Sequence, residues 1–92
     1  MHRRVDCTVT GRVQMVMYRD FAARTARKLG LVGEVWNERD GTVRIIAEGE
    51  EGLLNKLIIA LKKGSVLARV DAVDTIWGDT QGSYEEFNIR YE

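Results

Sequence analysis

The segment from residue 11 to residue 19 has the residue types and spacing expected of an anion-binding loop. It reads Gly11-Arg12-Val13-Gln14-Met15-Val16-Met17-Tyr18-Arg19. It joins a predicted strand to a predicted helix, and the free N–H groups and dipole at such a helix N-terminus favour phosphate. Arg19 falls in the first helical turn, where a cation costs a few tenths of a kcal/mol, and a guanidinium can hold two phosphate oxygens. The segment predicts phosphate binding, with a solvated surface arginine as the alternative.

Asn37 is the second candidate, because it ends a predicted strand just before a predicted turn. Asparagine is common at such places for its turn chemistry alone, and this interpretation stays open beside the functional one. In the fold predicted below, the strand before the first segment and the strand ending at Asn37 run parallel. Their carboxyl ends then meet at one sheet edge, where open sheets bind ligands. We therefore expect Asn37 and Arg19 to face one pocket.

Hydrophobic periodicity predicts the elements that must position these residues. Strand-like patterns predict five strands, around residues 4–10, 32–37, 42–48, 66–77 and 86–91, and the alternation of apolar and polar residues is clear in the first and the last. Apolar residues at helical spacing predict two amphipathic helices, over 18–29 and around 53–61, that end at Gly30 and Gly64. The Asp40-Gly41 pair predicts a hairpin turn between the second and third strands. The inward row of the fourth strand is ambiguous, which is typical of a β-bulge.

This order of elements predicts an α+β protein with a ferredoxin-like α/β sandwich. Two helices, each apolar on one side, cover one face of a mostly antiparallel sheet of four to five strands. Residues 1–92 contain no proline, repeat or linker-like stretch, so we expect a single domain. The order of the strands stays open at this point.

The composition argues against several other classes of protein and site. Fourteen Lys and Arg balance fourteen Asp and Glu, and a net charge of zero argues against binding nucleic acid or a membrane surface through bulk charge. The apolar runs are too short to span a membrane, and the N-terminus lacks the apolar stretch of a signal peptide. The single Cys7 and the single His2 offer no disulfide, no cysteine-based zinc site and no credible nucleophile pair. We expect a cytoplasmic protein with Cys7 in its core.

Two motifs give the chain a resemblance to the acylphosphatase family. The first is Gly11-Arg12-Val13-Gln14-x-Val16-x-Tyr18-Arg19, and the second is Gly33-x-Val35-x-Asn37-x-x-Asp40-Gly41-x-Val43. Arg19 and Asn37 lie eighteen positions apart, as in that family. The resemblance extends over nearly the whole chain, and two coupled motifs at a fixed separation are far more specific than either motif alone.

The resemblance implies hydrolysis of an acylphosphate, a carboxyl–phosphate mixed anhydride, to a carboxylate and inorganic phosphate. The resemblance implies that Asn37 orients the attacking water. It also implies that Arg19 and a cradle of backbone N–H groups bind the phosphoryl group, and the cradle consists of Gln14, Met15, Val16, Met17 and Tyr18. No metal or other cofactor is implied. The expected partners are a small acylphosphate substrate and inorganic phosphate or similar anions, and we expect a monomer.

The chemistry of these residue types agrees with that reaction. A carboxylate leaving group has a pKa near 4, so it departs without a general acid. Asparagine cannot act as a general base, so we expect the proton of the water to pass to the phosphoryl group itself. Catalysis then depends on positioning and on stabilising the charge of the phosphoryl oxygens. Phosphate monoesters should be poor substrates, because their alkoxide leaving group needs help that this chain lacks.

Met15 departs from the family pattern, which has glycine at that position. If the backbone there needs a positive φ, methionine costs about 1–2 kcal/mol, and relaxation of the loop would turn one N–H away from the phosphate. The alternative function is therefore a catalytically weak or silent phosphate-binding module of the same fold. We predict that Met15→Gly raises the activity or leaves it unchanged.

An RNA-binding module of the RRM kind is a further alternative, since it shares the ferredoxin-like fold and stacks bases on sheet aromatics. The third predicted strand, residues 42–48, contains no aromatic residue, and the net charge is zero. Both observations argue against RNA. We expect Trp36 and Trp77 to pack on a face of the sheet rather than to line a substrate mouth.

Overall fold

The computed structural model describes residues 1–91 and contains the strands and helices in the predicted order. The elements are β1 (His2–Arg12), α1 (Tyr18–Lys28), β2 (Val32–Asn37), β3 (Val43–Glu50), α2 (Glu51–Lys63), β4 (Arg69–Gly78) and β5 (Phe87–Ile89). α1 ends at Lys28 with Leu29 as its C-cap, and Gly30 follows with a φ of 73°, so the helix stops at this glycine as predicted.

The five strands form one mixed sheet with the order β4-β1-β3-β2-β5. β3 pairs antiparallel with both β1 and β2, so β1 and β2 run in the same direction. β4 pairs antiparallel with β1, whereas β5 pairs parallel with β2. The carboxyl ends of β1, β2 and β5 therefore lie at one edge of the sheet. We call this edge, with residues 13–19, 37–42 and 90–91, the loop edge.

Both helices pack on one face of the sheet, and a single core lies between the two layers. The inward rows of β1 and β3 are fully buried, as their alternation predicted, and they consist of Val5, Cys7, Val9, Val43, Ile45 and Ala47. The helices contribute Ala22, Ala23 and Ala26 from α1 and Leu54, Leu57 and Leu61 from α2. The hydroxyl of Tyr18 donates a 2.8 Å hydrogen bond to the carbonyl of Leu61, which joins the start of α1 to α2. The predicted ferredoxin-like sandwich is confirmed.

The predicted start of the fourth strand is wrong. Its apolar pattern begins at Val66, but Val66 is 99% exposed and β4 begins at Arg69. Residues 65–68 form a turn in which the N–H of Ala68 donates to the carbonyl of Ser65. Apolar residues favour a strand only where a partner strand can pair with them, and β1 does not reach this segment.

β4 contains one extra residue opposite the end of β1. Thr10 is paired with Ala72 and Gly11 with Val70, so Asp71 has no partner of its own in the ladder. Gly11 has a φ of 129°, and a Cβ at this position would collide with the carbonyl oxygen of Arg69. Only glycine fits this close approach, which lies directly before the loop that leads into α1.

Candidate active site

The loop between β1 and α1, residues 13–17, has an unusual backbone. Met15 and Met17 have φ angles of 60° and 62°, in the left-handed region that residues other than glycine rarely adopt. Left-handed residues in such turns direct neighbouring N–H groups to one side and form the concave sites that bind anions. Met17 is also the N-cap of α1, and its side chain makes no capping hydrogen bond. The first N–H groups of α1 therefore receive no acceptor from the N-cap side chain.

The side chain of Gln14 anchors this loop to the β2–β3 hairpin. Its Nε2 donates to the carbonyl oxygens of Glu38 and Thr42, at 2.7 Å and 2.9 Å. Asp40 shapes the same hairpin, because its carboxylate accepts from the N–H and the hydroxyl of Thr42 at 3.0 Å and 2.7 Å. These bonds from Thr42 hold the pKa of Asp40 below its usual value. The loop and the residues that follow β2 are thus joined directly.

Asn37 ends β2 immediately before that hairpin, where the sequence predicted it. Its Oδ1 is buried and accepts no hydrogen bond from residues 1–91. A buried acceptor without a partner costs about 1–3 kcal/mol and is uncommon, so this oxygen is suited to hold a ligand or a water molecule. An open cleft of about 680 Å³, which we call the Asn37 cleft, is lined by Gln14, Asn37, Glu38, Arg39 and Asp40.

Arg19 is the second residue of α1. Its Cζ is 4.9 Å from the centroid of the Tyr91 ring. Arg24, on the same helix, pairs with Asp20 at 2.9 Å, whereas Arg19 forms no ion pair with any carboxylate of residues 1–91. A second cleft of about 400 Å³, which we call the methionine cleft, is lined by Val13, Met15, Met17, Tyr18, Arg19, Asp20, Ile89 and Tyr91.

Tyr91 lies beyond the end of β5, although its alternation with Phe87 and Ile89 predicted it to belong to that strand. Ile89 is level with Val35 in the β2–β5 ladder, which brings Tyr91 level with Asn37. Arg19 and Asn37 therefore lie at the same edge of the sheet, as predicted. Asn37 lines the Asn37 cleft together with Gln14, and Arg19 lines the methionine cleft together with Met15, the next residue along the loop.

The chain matches known proteins over almost its whole length. The family model for acylphosphatases matches residues 5–89. The chain belongs to the acylphosphatase family. An acylphosphatase of Salinibacter ruber is 46% identical over 88 residues, which covers 96% of this chain and 93% of that protein. An acylphosphatase of Deinococcus radiodurans is 48% identical over 86 residues, which covers 94% of this chain and 98% of that protein.

A solved structure agrees with these sequence matches. The crystal structure of acylphosphatase from Bacillus subtilis superposes with a TM-score of 0.93 at 35% sequence identity. The superposition covers 99% of this chain and 100% of that one. The predicted membership of the acylphosphatase family is thus confirmed by sequence and by fold.

Met15 keeps the left-handed conformation although it replaces the glycine of the acylphosphatase pattern. The loop has not relaxed around the larger residue, which was the reason to consider a silent module, and that alternative is not favoured. Met17 adopts the same conformation, which its sequence position did not indicate. The two side chains are 97% and 67% exposed, so contacts of their own do not hold them there. The surrounding structure, including the Gln14 anchor, imposes this conformation.

Trp36 packs on the face of the sheet opposite the helices, in agreement with the prediction. The guanidinium Cζ of Arg90 is 4.0 Å from its ring centroid, and that of Arg44 is 5.6 Å away. Arg44 also pairs with Asp6 at 2.6 Å and with Glu38 at 3.4 Å. The ring is buried under these cations, which argues against the base stacking that an RNA-binding sheet requires.

Two further findings concern the described residues as a whole. No helix among residues 1–91 is long and apolar enough to cross a membrane. Over the same residues, no three His, Cys, Asp or Glu side chains lie close enough together to form a metal site.

Proposed function

We propose that this chain hydrolyses acylphosphates to a carboxylate and inorganic phosphate at the loop edge. The observation that carries the proposal is the direct connection, through Gln14, of the loop before α1 to the hairpin that follows Asn37. The N-cap of α1 makes no side-chain hydrogen bond, so this loop is suited to bind an anion. Membership of the acylphosphatase family supports the same reaction.

The loop and Arg19 bind the phosphoryl group. The backbone N–H groups of residues 14–18 hold its oxygens, in the manner of a helix N-terminus that binds an anion. Arg19 adds a guanidinium that no described carboxylate neutralises, and it stabilises the charge spread over the phosphoryl oxygens in the transition state. Inorganic phosphate, the product, binds the same groups and therefore competes with the substrate.

Asn37 orients the water. Its buried Oδ1 accepts a hydrogen bond from the water, whose oxygen then attacks phosphorus. The bond between phosphorus and the acyl oxygen breaks, and its electron pair leaves on the carboxylate. The water proton passes to a phosphoryl oxygen, because the amide cannot accept it. A leaving group with a pKa near 4 needs no proton from the enzyme.

We also propose that one copy of the chain acts as a monomer in the cytoplasm. Every residue assigned above comes from a single chain, so the site needs no second copy. The single thiol of Cys7 is buried in the core and suits a reducing compartment. Sedimentation at assay concentrations should give one species of 10.5 kDa.

Asn37→Ala tests the assignment of the water, with Asn55→Ala on the exposed face of α2 as the matched control. We expect Asn37→Ala to lower kcat for acetyl phosphate about 10²-fold while the inhibition constant of inorganic phosphate changes less than about twofold. The control should match the parent in both quantities. An equal loss of phosphate binding and turnover would contradict the assignment, and a parent that releases no phosphate from acetyl phosphate would contradict the function.

A further inference from the structure

The two sequence neighbours of Asn37 are held from the face of the sheet opposite the helices, which we call the open face. Side chains alternate between the two faces of a strand, so Trp36 lies on the open face while Asn37 lines the Asn37 cleft. The carboxylate of Glu38, one residue beyond β2, reaches the open face and pairs there with Arg44. The backbone on both sides of Asn37 is therefore fixed by groups on the open face.

Arg44 contacts both of these neighbours. It lies opposite Trp36 in the β2–β3 ladder, and its Cζ is 5.6 Å from the centroid of the Trp36 ring. Its Nη1 donates to Oε2 of Glu38 at 3.4 Å, and its Nη2 donates to Oδ1 of Asp6 at 2.6 Å. Because Asp6 belongs to β1, Arg44 ties the end of β2 to β1 across β3. We call Arg44, with these three partners, the Arg44 clamp.

Glu38 joins the Arg44 clamp to the loop before α1. Its carbonyl oxygen accepts from Nε2 of Gln14 at 2.7 Å and from the N–H of Gly41 at 3.2 Å. Its own N–H donates to the carbonyl of Thr42 at 2.9 Å. An amide that orients a water molecule needs support of this kind, because a displacement of about 1 Å costs on the order of 10²-fold in rate.

We propose that Arg44 is a positioning residue, which holds Asn37 in place for the attack of water by fixing the residues on either side of it. This inference rests on the proposed function. Arg44 does not line the Asn37 cleft, so it acts through Asn37 and not on the substrate. The clamp therefore supports kcat and leaves phosphate binding unchanged, because the phosphoryl group binds to the loop and to Arg19.

Arg44→Gln removes both ion pairs of the clamp. We expect it to lower kcat for acetyl phosphate about tenfold, while the inhibition constant of inorganic phosphate changes less than about twofold. Arg4→Gln is the matched control, because Arg4 also lies on the open face but pairs with the buried Glu48, at 3.1 Å, at the far end of the sheet. The control should lower the stability toward urea at least as much as Arg44→Gln does, and it should keep the parent kcat.

The same change in the Asn37→Ala background separates positioning from a general structural effect. If Arg44 acts through Asn37, then Arg44→Gln lowers kcat of the Asn37→Ala variant less than about twofold, since its target is already absent. A tenfold loss in both backgrounds overturns the inference, as does an equal loss in Arg4→Gln or a parallel loss of phosphate binding. Should Arg44→Gln not fold, Asp6→Asn weakens the clamp from β1 and should lower kcat about threefold, and an unchanged kcat then overturns the inference.

Hydrogen exchange separates the clamp from the proposed reaction. The N–H of Glu38 should exchange about tenfold faster in Arg44→Gln than in the parent or in Arg4→Gln, because the clamp holds the residue that carries it. Unchanged exchange overturns the clamp, whatever the turnover. If the parent releases no phosphate from acetyl phosphate and the exchange is nevertheless faster, the proposed function is overturned and the clamp stands.

Discussion

The two helices of this protein begin in opposite ways. α2 begins after Glu50, an extended residue with a φ of −68°, whose carboxylate accepts from the N–H of Leu53 at 3.3 Å. α1 begins after Met17, a left-handed residue whose side chain caps nothing. Moreover, α2 has Glu51 in its first turn, which suits the positive end of a helix dipole. The first turn of α1 contains the cation of Arg19, and its acidic residue, Asp20, is paired with Arg24 at 2.9 Å.

Under the proposed function, this difference separates a structural helix start from one that binds the phosphoryl group. The α2 N-terminus has its own acceptor and a negative charge, so it gains little from an external anion. The α1 N-terminus combines uncapped N–H donors, a cation and strained backbone, each of which is unfavourable by itself. A bound phosphoryl group would supply an acceptor for these N–H groups and a negative charge beside Arg19. Features that are costly for the isolated fold are thus concentrated at the loop edge.

Removal of the Arg19 cation should have the largest effect. Arg19→Ala should lower kcat/KM for acetyl phosphate about 10³-fold, because it removes the charge that stabilises the phosphoryl oxygens. Arg24→Ala is the control, since it removes an arginine from the same helix together with an exposed ion pair to Asp20. The control should stay within about twofold of the parent. Similar losses in the two variants would mean that Arg19 has no special position.

Release of the strain at Met15 should have a smaller effect. Met15→Gly allows a φ of 60° without a Cβ penalty, so we expect the free energy of unfolding to rise by about 1 kcal/mol. Turnover of acetyl phosphate should equal or exceed that of the parent, because the change leaves the backbone N–H groups of the loop in place. Ile59→Gly, in a regular helical turn of α2, should instead lower the free energy of unfolding by about 1 kcal/mol. Urea denaturation measures both. A destabilised Met15→Gly variant would show that the left-handed methionine is not strained.

Loss of the α2 cap should have the smallest effect. Glu50→Ala removes the acceptor for the N–H of Leu53, and because this cap is solvent-exposed we expect a loss of about 0.5 kcal/mol in the free energy of unfolding. The inhibition constant of phosphate should not change, because α2 is not part of the site. Weaker phosphate inhibition in this variant would contradict the claim that phosphate binds at the start of α1 and not at the start of α2.

Much of the fold was predictable from local pattern. The inward rows of β1 and β3 and the buried face of α2 follow strict periodicities, because each packs against one continuous core. The start of β4 was not predictable in the same way, since Val66 and Leu67 have strand-like chemistry but no partner. The parallel β2–β5 pair also depends on contacts between distant residues, which periodicity does not encode.

The same distinction between local pattern and distant contacts applies to the candidate site. Arg19 and Asn37 were found because their positions relative to strand and helix ends are local features, and because they match two family motifs. The Gln14 bonds were missed, since their acceptors lie 24 and 28 positions away. The stacking of Tyr91 on Arg19 was missed because β5 ends earlier than its alternation suggests. The sequence identified Arg19 and Asn37 as candidates, and the contacts that support them required the structure.

The most direct test of the account follows the backbone amides by NMR during titration with inorganic phosphate, against chloride at equal ionic strength. We predict saturable shifts at the N–H groups of residues 14–19, with a single dissociation constant equal to the inhibition constant of phosphate. The first-turn amides of α2, including Leu53, should not respond. Equal responses at the two helix starts, or no saturable response in the loop, would contradict the claim that the uncapped start of α1 is the phosphoryl-binding site.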